Sequence, residues 1–262
     1  MSSPPAAGVE AESLIVVRDL EQNFGGVRAV AGVSFSIEKG RITGLIGPNG
    51  AGKSTTLDMI AGATRPSSGT ISFQGRDITR LAAYQRARLG IVRTFQTSSE
   101  FARLTVMENL LVAAPRLRGE RLVGALRGRW YWRDEEQLVV ERARELLGRF
   151  EMTAKEDEYA GELSGGQKRL LEIMRGLMAE PEVLLLDEPM AGVNPSLARR
   201  IETYLLELHH SGLTAIMVEH ELGTVERLCD PVIVMAEGRV LRQGTMPELR
   251  RNREVLDAYL IG

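Results

Sequence analysis

Cysteine is almost missing from this chain of 262 residues: Cys229 stands alone. A single thiol excludes an internal disulfide and fits a reducing compartment. Long apolar runs are missing too. The longest, such as Leu110–Ala114 and Val183–Leu186, are four or five residues long, against the roughly 20 that a spanning helix needs. The opening MSSPPAAGVE has neither a basic start nor an apolar stretch. It reads as a frayed tail over residues 1–13, not as a secretory signal. Charge of one sign is also lacking: 33 basic residues face 35 acidic ones, a net charge of −2. That balance argues against nucleic acid as a partner. There is no internal repeat. The expectation is a soluble, cytoplasmic chain that meets a membrane only through a partner.

Lysine is scarce as well. Lys39, Lys53, Lys155 and Lys168 are its only copies, because arginine is used wherever a generic positive charge suffices. A lysine at a chemically special place therefore stands out. What remains is ordinary for a globular protein: 44 % hydrophobic and 26 % charged residues. The length suits one large domain or two small ones.

Residues 14–40 read as β structure, with Val33, Phe35 and Ile37 alternating with polar neighbours and Gly25-Gly26 marking a turn. Ile42–Ile46 is a short apolar run that leads into a glycine-rich loop. Ile71, Phe73 and Gln74-Gly75 suggest a strand and hairpin, as do Val232–Met235, Ala236-Glu237-Gly238 and Arg239–Leu241. The middle has helical spacing: Val139, Ala143, Leu146, Leu147 and Phe150, then Leu170, Ile173, Met174 and Leu177, stopped by Pro181. Val183–Leu186 and Thr214–Val218 have the length of buried strands. Asn194-Pro195 opens a helix with Asn as cap and Pro in the first turn. Strands alternating with helices at both ends, around a helical block, predict an α/β fold. Its parallel-sheet core would carry an inserted helical subdomain at about 97–162, within one domain over 14–250 and before a tail at 251–262.

Residues 47–54 read Gly47-Pro48-Asn49-Gly50-Ala51-Gly52-Lys53-Ser54, followed by the helical run that Thr55 opens. This is G-x-x-x-x-G-K-[ST] in full, in its required place between strand and helix. The glycines let backbone N–H groups turn inward on a phosphate, and the helix adds its positive end. Lys53 can reach the β- and γ-phosphates, and the Ser54 hydroxyl can ligate Mg²⁺. Residues 183–188 read Val-Leu-Leu-Leu-Asp-Glu. An acidic pair at a buried strand's end lies where open α/β sheets bind ligands. Asp187 would hold Mg²⁺ through water, and Glu188 would act as general base. Residues 163–167 read Leu-Ser-Gly-Gly-Gln before a helix. Ser164 can cap that helix; Gly165, Gly166 and Gln167 are either a second anion site or a flexible approach, and the residues alone leave both readings open.

Taken together, the loop at 47–54, Asp187-Glu188 and Ser164–Gln167 resemble the ABC ATPase family in order and spacing, from about residue 14 to residue 250. The resemblance implies a P-loop NTPase core with an antiparallel β subdomain, ATP and Mg²⁺ as ligands, and head-to-tail pairing with a second ATPase subunit. One copy's phosphate loop would then face the other's Ser164–Gln167 across ATP. It also implies that Gln96 senses Mg²⁺ and water, that His220 contacts the γ-phosphate, and that Phe24 stacks on adenine, where the alternative is core packing. Ala191–Asn194 matches the loop that crosses the dimer, with Asn194 in place of the frequent Asp.

Within that family the chain has one cassette and 67 residues between Gln96 and Ser164, too few for the coiled coil of a chromosome ATPase. It resembles transporter subunits. Gly90–Gln96, Leu104–Asn109, Ala191–Pro195 and the ending Ala258–Gly262 are similar to LivG-type cassettes. Those power import of branched-chain amino acids and related small solutes, with permease subunits and a solute-binding protein as partners; the runner-up is the lipopolysaccharide-export cassette. The chain would sit at the cytoplasmic face of the cell membrane. Thr97–Leu104, with Phe101 and Leu104, would receive the permease. Arg116–Arg133, with Trp130, Tyr131 and Trp132, is either a lipid-facing stretch or a solvated loop.

Overall fold

The structure, a computed structural model, describes residues 13–94, 101–115 and 133–261. Gln96, residues 97–100 and the Arg- and Trp-rich stretch up to Trp132 lie outside the described residues. The chain forms two compact units. One holds the described residues up to Arg93, Glu182–Pro189 and the residues from Leu205 on; the other holds Thr94–Pro181 and Met190–Tyr204.

The first unit carries two sheets. Strands β1 (Ser13–Phe24), β2 (Val27–Glu38), β4 (Ser68–Phe73) and β5 (Arg76–Asp77) form an antiparallel sheet in the order β2-β1-β4-β5. Ser13, expected in the tail, already belongs to β1. The strand continues past its apolar start at Leu14–Val17 because a bulge resets its alternation. Asp19 takes a left-handed φ of 46°, which a short polar side chain tolerates, and Leu20 returns to the core. The turns at Gln74-Gly75 and Glu237-Gly238 have positive φ at both residues, as their sequences predicted.

The second sheet runs β10-β9-β3-β8-β7-β6. Strands β3 (Ile42–Ile46), β6 (Ile91–Arg93), β7 (Val183–Asp187), β8 (Thr214–Val218) and β9 (Val232–Ala236) are parallel to their neighbours, and β10 (Arg239–Gly244) closes the edge antiparallel. Every residue of β3, β7, β8 and β9 is buried. That explains their largely apolar sequences: a strand covered on both faces has no solvent-facing side to make polar. Helix α1 (Lys53–Ala61) follows β3 and buries Leu57 and Ile60 in the same core as Leu45, Leu185 and Ile216. Helix α2 (Ala83–Arg88) is short and was not evident from periodicity. Its Arg86 is 1 % exposed and donates to the carbonyls of Met59, Ile60, Thr79 and Leu81 at 2.6–3.0 Å. It thereby satisfies the open end of α1.

The second unit is helical. Helices α3 (Val106–Ala113), α4 (Arg133–Arg149) and α5 (Gly165–Met178) pack together, followed by the first turns of α6 (Pro195–His210). Their apolar stripes, including Leu110, Ala143, Leu147, Leu170 and Met174, are buried. Thr105 and Glu108 form a capping box at α3. Fully buried Asn109 donates to the carbonyls of Phe101, Leu104 and Thr105 and accepts from the Phe101 N–H, fixing the loop before the helix. In the first unit, helices α7 (Leu222–Leu228), α8 (Met246–Leu249) and α9 (Arg253–Ile261) complete the chain. The closing residues, expected as a tail, are thus helical. Asn252 accepts from the Val255 N–H, and Val255 is buried.

Candidate functional site

Sheet order decides what meets what. Strands β3, β8 and β7 are neighbours, and their carboxyl ends deliver Gly47, His220 and Asp187-Glu188 to one edge. Strand β6 lies beside β7 and ends at Arg93.

The glycine loop is built for close approach. Gly47 has φ 150°, and a Cβ there would lie 2.0 Å from the Met235 carbonyl oxygen. Gly52 has φ 95°, and a Cβ there would lie 2.5 Å from the Ala29 oxygen. Neither position has room for a side chain. Gly52 precedes α1, whose Lys53, Ser54 and Thr55 form the first turn. The Lys53 ammonium turns back into the loop and donates to the carbonyls of Gly47 and Pro48 at 2.8 and 2.9 Å. Burial holds its pKa below the usual lysine range, against the opposing pull of Glu188 and Asp187. Pro48, Asn49, Gly50 and Ala51 complete the curve, with the Ala51 N–H donating to the Pro48 carbonyl.

The acidic pair divides into two environments. Asp187 is 0 % exposed. Its Oδ1 lies 3.5 Å from the Ser54 hydroxyl, and its Oδ2 accepts from Arg93 Nη2 at 2.9 Å. Glu188 is more open and holds a left-handed φ of 50°, with its N–H donated to the Val218 carbonyl. Its Oε1 lies 2.9 Å from His220 Nε2. Phosphate loop, paired carboxylates and His220 therefore form one constellation. Phe24 is 49 % exposed at the end of β1, so the core-packing alternative does not hold. Its hairpin partner strand brings Ala29 and Val30 against Gly52. Gln96 lies outside the described residues.

In the helical unit, Ser164 caps α5. Its hydroxyl accepts from the Gln167 N–H at 3.4 Å, and Gln167 Oε1 accepts from the Ser164 N–H at 2.9 Å. Asn194 caps α6 by accepting from the Leu197 N–H. Ser164, Gly166 and Gln167 line a cavity of about 400 Å³ together with Gly192, Asn194 and Arg200. Gly165 opens the helix beside it.

Residues 30–191 match the ABC transporter family. The chain belongs to that family. This ATP-binding cassette is 39 % identical over 247 residues to a probable branched-chain amino acid transport ATP-binding protein LivG of Archaeoglobus fulgidus, covering 94 % of this chain and 95 % of that one. It is 37 % identical to a high-affinity LivG of Salmonella typhimurium, covering 95 % and 98 %. Among solved structures, a nucleotide-free ATP-binding cassette from an ABC transporter superposes with a TM-score of 0.80 at 36 % identity, covering 94 % and 98 %. A cassette in its ADP conformation superposes at 0.79 and 36 %, covering 95 % and 98 %. No helix among the described residues of the cassette is long and apolar enough to cross a membrane.

Sequence reasoning did not find the environment of Asp187. In the sequence Arg93 stands only within the run before Gln96, and Asp58 belongs to none of the motifs. Yet Asp58 lies four residues after Ser54, on the same face of α1, and pairs with Arg93. That spacing was the available signal.

Proposed function

We propose that the cassette hydrolyses ATP as the energy-supplying subunit of an importer for branched-chain amino acids or related small solutes. The observation that carries this reading is the single constellation of Lys53, Ser54, Asp187, Glu188 and His220 at the carboxyl edge of one sheet. The LivG names of its relatives support the cargo class.

Lys53 exchanges the two loop carbonyls for β- and γ-phosphate oxygens, while the first N–H groups of α1 and the loop 47–52 hold the remaining oxygens. Phe24 offers its exposed ring to the adenine. Glu188 takes a proton from the water that attacks the γ-phosphate, and His220 orients the Glu188 carboxylate through its 2.9 Å contact. Ser54 Oγ and Asp187 Oδ1 are close, hard oxygen donors, which fits Mg²⁺, with Gln96 as a third candidate. Bound there, Mg²⁺ supplies positive charge to the phosphate oxygens. A second cassette, the same chain or a related one, supplies Ser164–Gln167 to the γ-phosphate. Permease subunits hold the pair at the cytoplasmic face of the membrane, and a solute-binding protein delivers the cargo.

The test is Glu188→Gln. ATP binding is retained, and turnover falls by about 10² to 10⁴, the range for loss of a general base. With ATP and Mg²⁺ the variant accumulates as a dimer on size-exclusion chromatography. Undiminished turnover would refute the role of Glu188, and a monomer under these conditions would refute the paired site. For the cargo, leucine with its binding protein raises the ATPase rate of the complex reconstituted with permease.

A further inference from the structure

The carboxylate of Asp187 is completely buried, and a buried charge without a counter-charge is costly. The cation it meets on its own sheet is Arg93, at the end of the neighbouring strand β6, with Nη2 2.9 Å from Oδ2. The Arg93 side chain is itself only 12 % exposed. Its other terminal nitrogen, Nη1, pairs with Asp58 of α1. Asp58 is one helical turn from Ser54, whose hydroxyl approaches the other oxygen of Asp187. The four side chains thus close a ring: Ser54, Asp187, Arg93 and Asp58, with one turn of α1 joining its ends.

We propose that Arg93 is a positioning residue for Asp187: a resident counter-ion that balances and orients the buried carboxylate in the nucleotide-free cassette and cedes part of it to the divalent cation that accompanies ATP. The proposal rests on the reading of Asp187 as a metal-binding carboxylate. A guanidinium suits this task. Its planar fork reaches two carboxylates at once, so the orientation of Asp187 is referred to the helix that carries Lys53 and Ser54. A lysine could balance the charge but could not hold both carboxylates in one plane. The Asp58 arm keeps Arg93 in place when Asp187 turns to the cation.

Two measurements test this. The first is a double-mutant cycle on the nucleotide-free protein, using Arg93→Gln, Asp187→Asn and both, read by urea unfolding. Arg93→Gln alone lowers the folding equilibrium constant by about tenfold or more, because the buried carboxylate of Asp187 loses its guanidinium. In the Asp187→Asn background the same change costs much less. Additive effects would overturn the pairing. Should Arg93→Gln fail to fold alone, recovery of folding in the double variant with Asp187→Asn reads the same coupling, and a double variant that also fails to fold would overturn the pairing. The second measurement titrates Mn²⁺ in the presence of ATP, followed by its paramagnetic resonance. Removal of the competing cation lowers the Mn²⁺ concentration for half-saturation by about threefold or more, and Arg93→Lys lies between the variant and wild type. An unchanged or raised midpoint would overturn the ceding of the carboxylate. The cycle needs no nucleotide, so it still reads the pair if the wild-type protein binds no Mn²⁺-ATP. Absence of binding in the wild type would instead refute the proposed function.

Discussion

Replacing Lys53 by Met should scarcely change folding stability and yet remove most of the affinity for ATP. Lys53 is 6 % exposed, donates to two backbone carbonyls, and is desolvated enough that its pKa lies below the usual lysine range. Met has nearly the same length without the charge. The change removes two charge-assisted bonds, each worth about 1.5–3 kcal/mol, and also removes the cost of burying an ammonium, which is several kcal/mol. These terms nearly cancel, so unfolding free energy in urea should change by no more than about 1.5 kcal/mol. The carbonyls of Gly47 and Pro48 keep partial access to water at the loop. With ATP no such cancellation operates. The phosphate oxygens lose a cation aimed at them, about 3–4 kcal/mol in all, which is roughly 10²- to 10³-fold in affinity. The pH dependence gives an internal check. A base whose folded pKa is depressed binds fewer protons folded than unfolded between that lowered value and its unfolded value near 10.5. Stability therefore gains a component as pH rises through this alkaline window, and Lys53→Met abolishes it. Calorimetry of ATP binding and urea titrations at two alkaline pH values measure all three quantities. ATP affinity within threefold of wild type would refute the phosphate-loop role. A loss of several kcal/mol in the empty chain would refute the cancellation.

Ser164→Arg is expected to spare ATP binding by the isolated chain and to abolish hydrolysis, since a long cation would fill the space offered to a partner's γ-phosphate; full ATPase activity would remove Ser164–Gln167 from the mechanism. Phe101 is 47 % exposed, with the Arg175 guanidinium 5.0 Å from its ring centre. Phe101→Asp should therefore leave the melting temperature of the free subunit nearly unchanged while weakening co-purification with the permease, and an undiminished pull-down would sink the docking role. Arg86→Met leaves four carbonyls without their donor, among them two at the end of α1. It should cost about 3 kcal/mol or more in chemical denaturation, and a loss below about 1 kcal/mol would show that water replaces the guanidinium.

Some of this protein is written locally and could be read without coordinates. Gly47, Gly52 and Lys53 follow from a loop that must bring backbone N–H groups onto a phosphate. The apolar runs of β3, β7 and β8 announce strands buried on both faces. Ser164 and Asn194 are caps because a short polar side chain before a helix meets bare N–H groups. The capping box Thr105-x-x-Glu108 is equally local. Other features rest on residues distant in the chain, and no local rule contains them. The order β3-β8-β7-β6 alone decides that His220 meets Glu188 across 32 residues and that Arg93 meets Asp187 across 94. Nothing local marks Arg86, but tertiary packing buries it under the end of α1, where it donates to four carbonyls. Local chemistry thus determined which groups could act on a nucleotide. Only the long-range pairing of strands determined which charges balance one another, because electrostatic partners are chosen by distance in space.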